Sequence, residues 1–336
     1  MLETRAAEAA QDLAPVRADV RPAAILGLAT ELPAGRLTHA ELAGRLGITE
    51  EWIVSRTGIR ERRRAEPDER LSDYATRVGA AALLRAGVPA AELDLVIVAT
   101  MTQDELTPNT APIVAHAIGA QRAGAFDVGA ACSAFLVGLS QGTAQIECGR
   151  AEYVLLIGAD FITRITDYED RRTAPLFADA AGAVVLGPGG GERGTVGPIV
   201  LGADGSHAQT IHASVSERKV QMDGPEVFRH AVARMSQVTL DAVAQAGLTL
   251  ADIDLFVYHQ ANARITRALG ERLGLPAERV VDCIEGIGNA SAATLPVALA
   301  AAEADGRLHP GARVLLSTFG AGFTWGGGVI EWGGRG

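Results

Sequence analysis

Cys132, His259 and Asn289 are far apart in the sequence, but their types and settings suit acyl transfer through a sulfur nucleophile. Cys132 lies in Gly129-Ala130-Ala131-Cys132-Ser133-Ala134, after the strand-like Ala125-Phe126-Asp127-Val128 and before the buried-helix pattern Phe135-Leu136-Val137-Gly138-Leu139. A strand, a turn of small residues and a helix starting at a cysteine put the sulfur where N–H groups and the macrodipole favour the thiolate. Small neighbours also leave backbone N–H groups free to hold an oxyanion. The same segment is equally compatible with a buried structural cysteine. His259 comes straight after the apolar run Leu255-Phe256-Val257-Tyr258 and before a helical segment, 263–273, at the strand end where α/β sites gather. Its alternatives are a catalytic imidazole and a capping one. Asn289 offers a neutral amide donor, although Gly-Asn is also an ordinary turn dipeptide.

Composition bounds the elements that must position these groups. The chain has 336 residues, a net charge of −10 and three cysteines, Cys132, Cys148 and Cys283. The acidic balance argues against a nucleic-acid partner. The cysteines are too few and scattered for a disulfide framework or a zinc site, so no metal is expected and a reducing, cytoplasmic setting is. Cys148 and Cys283 read as core residues. No apolar run is long enough to cross a membrane, and residues 1–21 read as a flexible or surface-helical extension without a secretory signal. The Gly-rich run 320–328 lacks the spacing and the Lys-Ser/Thr of a phosphate loop.

Strand-like runs alternate with Ala-rich amphipathic segments, which predicts an α/β fold with layered helices. The chain also echoes itself. Residues 87–98 resemble 247–258, and Tyr153-Val154-Leu155-Leu156 is answered by Arg313-Val314-Leu315-Leu316, both about 160 residues apart. Two halves follow, 22–190 with the cysteine and 191–336 with the histidine and asparagine. Cys132 and Asn289 then occupy related turns, facing each other near a pseudo-twofold axis.

Taken together, Ala-Ala-Cys132, His259-Gln-Ala-Asn262, Gly-Asn289-Ala-Ser-Ala-Ala and Phe319-Gly-Ala-Gly-Phe-Thr-Trp-Gly326 closely resemble the β-ketoacyl-ACP synthase III family. The run from Trp52 to Arg62 is similar to that family's N-terminal signature. The resemblance implies a thiolase-like five-layered αβαβα duplication, usually a homodimer, that needs no cofactor beyond its substrates, acyl-CoA and malonyl-acyl carrier protein (ACP). It implies that Cys132 takes the acyl primer and that the N–H groups of Cys132 and Ala321 form the oxyanion hole. His259 and Asn289 would then stabilise the enolate left when malonyl-ACP loses CO2, giving a 3-oxoacyl-ACP that initiates fatty-acid synthesis. Ala321 replaces the family's usual third glycine, a change a backbone donor tolerates if φ stays negative. By the same resemblance Trp52 and Arg171 sandwich the CoA adenine, Arg56 pairs with its phosphates and Asn262 lines the pantetheine channel. Arg229, Arg264 and Arg267 form the docking patch for the acidic carrier. Thr107 stands where many acetyl-specific relatives carry Phe, on a loop reaching the partner's acyl pocket, so a longer or branched primer is expected. Alternatives are a polyketide starter-unit synthase or an acyltransferase to a natural-product hydroxyl or amine, and retention of Asn289 favours carbon–carbon bond formation. An interaction protein with an inert Cys132 is the reading from a different class.

Overall fold

The computed structural model describes residues 21–333. The proposed N-terminal extension, 1–21, lies outside the described residues except for Arg21, whose guanidinium donates to the carbonyls of Ile146 and Ala151.

Two sheets share one strand plan. The strands are β1 (Ala23–Glu31), β2 (Arg36–Thr38), β3 (Glu61–Arg63), β4 (Leu95–Ala99), β5 (Gly124–Val128), β6 (Val154–Phe161) and β7 (Asp179–Pro188), followed by β8 (Gly194–Ala203), β9 (Ile211–Ala213), β10 (Val220–Met222), β11 (Leu255–Tyr258), β12 (Arg313–Gly320) and β13 (Thr324–Trp332). The first sheet runs β1-β7-β6-β4-β5 and the second runs β8-β13-β12-β11. In each, the first two pairings are antiparallel (β1-β7-β6, β8-β13-β12) and the next is parallel (β6 with β4, β12 with β11), and β5 adds a further parallel pair to the first sheet. The counterpart of β5 is reduced to one parallel bridge, Phe256 to Val280. The internal echo in the sequence is therefore a duplicated sheet. β6 and β7 are almost wholly buried, as a sheet covered on both faces requires.

Helices make the other three layers. The helix Leu71–Ala86 covers the outer face of the first sheet and Gly224–Gln245 that of the second. Between the sheets lie Ala134–Glu147 and Thr294–Ala304, each packed on strands of both. Glycines let the middle layer sit close: a Cβ at Gly138 would lie 2.5 Å from Leu156 Cδ1, and one at Gly142 2.7 Å from Leu186 Cδ1. The result is the five-layered αβαβα arrangement with two pseudo-twofold related halves.

Each central helix is entered through a tight turn, Ala131–Ser133 and Ser291–Ala293. Both turns begin on a non-glycine residue in the left-handed region, Ala131 at φ 47° and Ser291 at φ 50°. Each leans on a strand of the other half. A Cβ at Gly320 of β12 would lie 2.9 Å from the Cys132 nitrogen, and one at Gly158 of β6 would lie 2.6 Å from the Ala292 oxygen. Gly320→Ala should therefore push the Cys132 turn aside, with a stability loss of about 1–3 kcal/mol. Thermal melting and acylation of Cys132 measured on the same variant check this. Retained acylation at full rate would contradict it.

Candidate active site

Cys132, His259, Asn289, Gly320 and Ala321 line one cavity of about 600 Å3. Each arrives from a different element. Cys132 sits in the turn just ahead of the helix Ala134–Glu147 and is 9% exposed. Two side chains fasten that turn to the Gly-rich loop: the Ser133 hydroxyl donates to Thr324 O (3.2 Å), and the Thr324 hydroxyl lies within reach of Ala130 O (3.1 Å) and Ala321 O (3.2 Å). Ala321 is not among the positive-φ residues, so its N–H is presented as the substituted loop requires.

His259 follows β11, and its backbone N–H donates to Ser317 O of β12 at 2.8 Å. The next side chain, Gln260, is buried and locks this strand end: its amide donates to Tyr258 O and Val281 O and its oxygen accepts from Cys283 N. His259 Nδ1 lies 2.5 Å from Thr294 Oγ1, which leaves Nε2 as the nitrogen free for the cavity. The Thr294 hydroxyl has one proton and a second acceptor, Ser291 O at 2.9 Å, which already accepts the Thr294 N–H. When the Thr294 proton goes to Nδ1, the more basic acceptor at the shorter distance, Nε2 carries the imidazole proton and faces the cavity as a donor.

Asn289 is held on all its other sides. Its N–H donates to Leu176 O and its carbonyl accepts from Ala178 N, both at 2.9 Å. Its Oδ1 accepts from Ser291 N at 2.9 Å, which fixes the amide so that only NH2 remains for the cavity. The strip it pairs with is pinned from behind by Arg62, fully buried, whose guanidinium donates to Pro175 O and Ile59 O.

Burial sets the protonation states. It pushes the Cys132 thiol up to about 12, with the Asp160 carboxylate adding to the rise. It pulls the His259 imidazole down to about 3, so the ring is neutral. The expectation that the helix start favours a thiolate meets two opposing effects the turn does not contain, burial of the sulfur and the neighbouring Asp160 carboxylate. Asp160, at the end of β6, accepts from Thr100 Oγ1, Met101 N, Thr102 Oγ1 and Ala292 N at 2.8–3.2 Å. Cys148 departs from the expected core placement, being exposed after its helix, whereas Cys283 is half-buried and packs against the core.

The residues assigned to coenzyme binding also gather here. Trp52, Arg56, Arg171, Asn262 and Arg264 line the same cavity. Arg56 stacks on the Trp52 ring at 4.6 Å. Arg171 is exposed. Asn262 is more committed than expected: Nδ2 donates to Arg56 O and Oδ1 caps the helix Ala263–Leu273 by accepting from Arg264 N. Of the docking arginines, Arg264 packs over Phe228 at 5.5 Å and Arg267 is exposed on the same helix. Arg229 lies off the cavity in an ion pair with Glu226 at 2.6 Å. Thr107 is exposed on the loop after β4 and does not line this chain's cavity. Sequence reasoning missed Gln260, Thr294, Asp160 and Arg62. Gln260 and Arg62 stood inside quoted motifs, but nothing local marked either as a buried brace.

A duplicated five-layer fold holding cysteine, histidine and asparagine in one cavity defines a thiolase-fold condensing enzyme. Residues 126–205 match the family 3-oxoacyl-[acyl-carrier-protein (ACP)] synthase III, and residues 243–332 match its C-terminal counterpart. The chain is 43% identical over 320 residues to a β-ketoacyl-[acyl-carrier-protein] synthase III of Rhizorhabdus wittichii, covering 93% of this chain and all of that one. Its fold matches the crystal structure of 3-oxoacyl-[acyl-carrier-protein] synthase III from Aquifex aeolicus VF5 with a TM-score of 0.89 and 37% identity, covering 92% of this chain and 100% of that one. It also matches the priming β-ketosynthase of the R1128 polyketide biosynthetic pathway with a TM-score of 0.90 and 37% identity, covering 95% and 98%. The chain belongs to the β-ketoacyl-ACP synthase III family and is a condensing enzyme of that type.

The neutral histidine has a measurable consequence. His259 stays unprotonated in the folded protein down to about pH 3, whereas an unfolded chain protonates it below its ordinary 6.5. Between those values the unfolded state binds the extra proton, so stability is lost as pH falls through that window. The slope from this one group is at most about 1.4 kcal/mol per pH unit. Asp179, raised to about 6 by burial, acts in the opposite sense. It is common to wild type and His259→Gln, so it cancels in their difference. Denaturant melts at pH 6.5 and 4.5 should show wild type losing stability relative to His259→Gln, and equal losses would contradict a buried neutral ring.

Proposed function

We propose that Cys132 carries the primer and that His259 and Asn289 handle the extender. The Cys132 sulfur attacks an acyl-CoA thioester, the carbonyl carbon's bond to the CoA sulfur breaks, and CoA leaves with the proton that Cys132 loses. The N–H groups of Cys132 and Ala321 hold the oxyanion of that step. Malonyl-ACP then loses CO2, and the negative charge moves onto its thioester oxygen. Nε2–H of His259 and the NH2 of Asn289 stabilise that oxygen. The enolate carbon attacks the acyl-Cys132 carbonyl, 3-oxoacyl-ACP departs and the sulfur regains a proton. The site needs no cofactor beyond the two thioester substrates.

The observation that carries this reading is the amide of Asn289. Its oxygen is spent on Ser291 N at 2.9 Å, so the group facing substrate is a pure donor, suited to a developing anion. Trp52, Arg56 and Arg171, which line the cavity, suit an adenine and its phosphates, and Arg264, lining it and exposed, suits an acidic carrier. A homodimer is supported by β5, an edge strand exposing Phe126 (41%), and by the nearby loop exposing Leu106 (82%). In such a dimer Thr107, on that loop, bears on the partner's acyl pocket and admits primers longer than acetyl. Likeness to a priming ketosynthase supports the same choice. Three free cysteines fit a reducing, cytoplasmic setting.

The test is a panel of acyl-CoAs with malonyl-ACP, products identified by mass. A longer or branched primer should outcompete acetyl-CoA, and acetyl-CoA winning throughout would contradict the Thr107 assignment. Asn289→Asp keeps the Oδ1 contact but replaces the donor by an acceptor. It should lower condensation by about 10²–10³-fold while Cys132 still loads. Unchanged condensation in that variant would remove Asn289 from the mechanism.

A further inference from the structure

Ser291 has a hydroxyl that the turn around it does not use. The residue is 1% exposed, and its Oγ has no hydrogen-bond partner. Its backbone is fully committed: the N–H goes to Asn289 Oδ1, and the carbonyl accepts from the N–H and is within reach of the hydroxyl of Thr294. Buried, unpaired hydroxyls are uncommon in folded proteins and call for a reason.

The fold supplies its own control. Ser291 opens the second tight turn as Ala131 opens the first, and the two share the left-handed conformation, φ 50° and 47°. Alanine makes the same turn without a hydroxyl, so the turn itself does not require one. The turn Ser291–Ala293 packs on the turn that carries Cys132 and on β6, which carries Asp160, and the Ser291 hydroxyl favours ionisation of both groups while standing in hydrogen-bond geometry with neither. Asp160 already has donors from Thr100, Met101, Thr102 and Ala292. The sulfur has its own backbone N–H beside it and, among the described residues, no side-chain donor but this hydroxyl.

We propose that the Ser291 hydroxyl is held in reserve to donate a hydrogen bond to Cys132 Sγ as it becomes a thiolate. The surroundings of that sulfur oppose ionisation. Burial raises the thiol most, Asp160 raises it further, and His259, neutral, contributes no charge. Ser291 is the one side chain that acts in the other direction. A hydroxyl that reorients by one rotation supplies the donor only when charge appears, leaving the resting thiol protected. The assignment rests on Cys132 being the nucleophile, and it concerns ionisation of the sulfur whatever the acyl substrate proves to be.

Two variants separate the hydroxyl from the backbone. Ser291→Ala removes the hydroxyl and keeps a side chain that the twin turn shows to be tolerated. Ser291→Gly removes it and also relaxes the left-handed φ. Iodoacetamide alkylation, mapped to Cys132 by peptide mass because Cys148 is exposed, gives a pH–rate profile for each. Below the thiol's pKa, alkylation in both variants should run about tenfold slower at every pH, with acyl loading slowed in step. Melting temperatures should be unchanged or higher, since an unpaired buried hydroxyl is lost. A wild-type profile in both variants would overturn the proposal, as would slowing in Ser291→Ala alone, which would point to the turn. Slowed alkylation with no acyl loading even in wild type would leave this proposal standing and sink the acyl-CoA reading instead.

Discussion

The site depends on one steric constraint: each half's tight turn rests directly on a strand of the other half, with no room for a Cβ between them. Gly320 leaves space for the Cys132 nitrogen, and Gly158 leaves space for the Ala292 oxygen. Side chains at these points would separate the sheets and pull the sulfur away from the loop that carries Ala321. Because the central helices touch both sheets, their entry turns are fixed at the axis between the halves. Cys132 thus comes from one half, His259 and Asn289 from the other, and all three face a common cavity.

The second dependence is electrostatic. The centre is enclosed, and charge there is held back. The sulfur is a thiol, the imidazole is neutral, and the neighbouring carboxylate Asp160 is surrounded by donors. A neutral donor pair suits decarboxylation, where charge moves from a departing carboxylate to a thioester oxygen. A fixed cation would bind the malonyl carboxylate more tightly in the ground state and slow its departure. Thr294 and the Ser291 N–H do this positioning, orienting His259 and Asn289 from the same turn.

Much of this was legible in the residues. The strand after Gly124, the helix Ala263–Leu273 and the duplication follow from apolar periodicity and the repeated segments. Cys132 and Asn289 were marked by small-residue turns and His259 by its place after an apolar run, while Ala321 came from the likeness to the family. What was hidden arises from long-range packing. The protonation of Cys132 depends on Asp160 and on the covering layers, which a turn-level argument about the helix dipole does not contain. Arg62 reads as one more arginine of a charged run, yet it is fully buried and braces the strip beside Asn289. Asn262 looked like a free channel-lining amide, but capping of its own helix and a bond to Arg56 O occupy it. Cys148, at a helix end, lies outside the core because the apolar stripe of that helix turns away from it.

The central claim is that a sulfur enclosed between the two halves is the acyl carrier. Intact-mass measurement after incubation with acyl-CoA alone, followed by peptide mapping, tests it directly. The account predicts one acyl group per chain, on Cys132, released when malonyl-ACP is added. No adduct, or an adduct on the exposed Cys148, would contradict it.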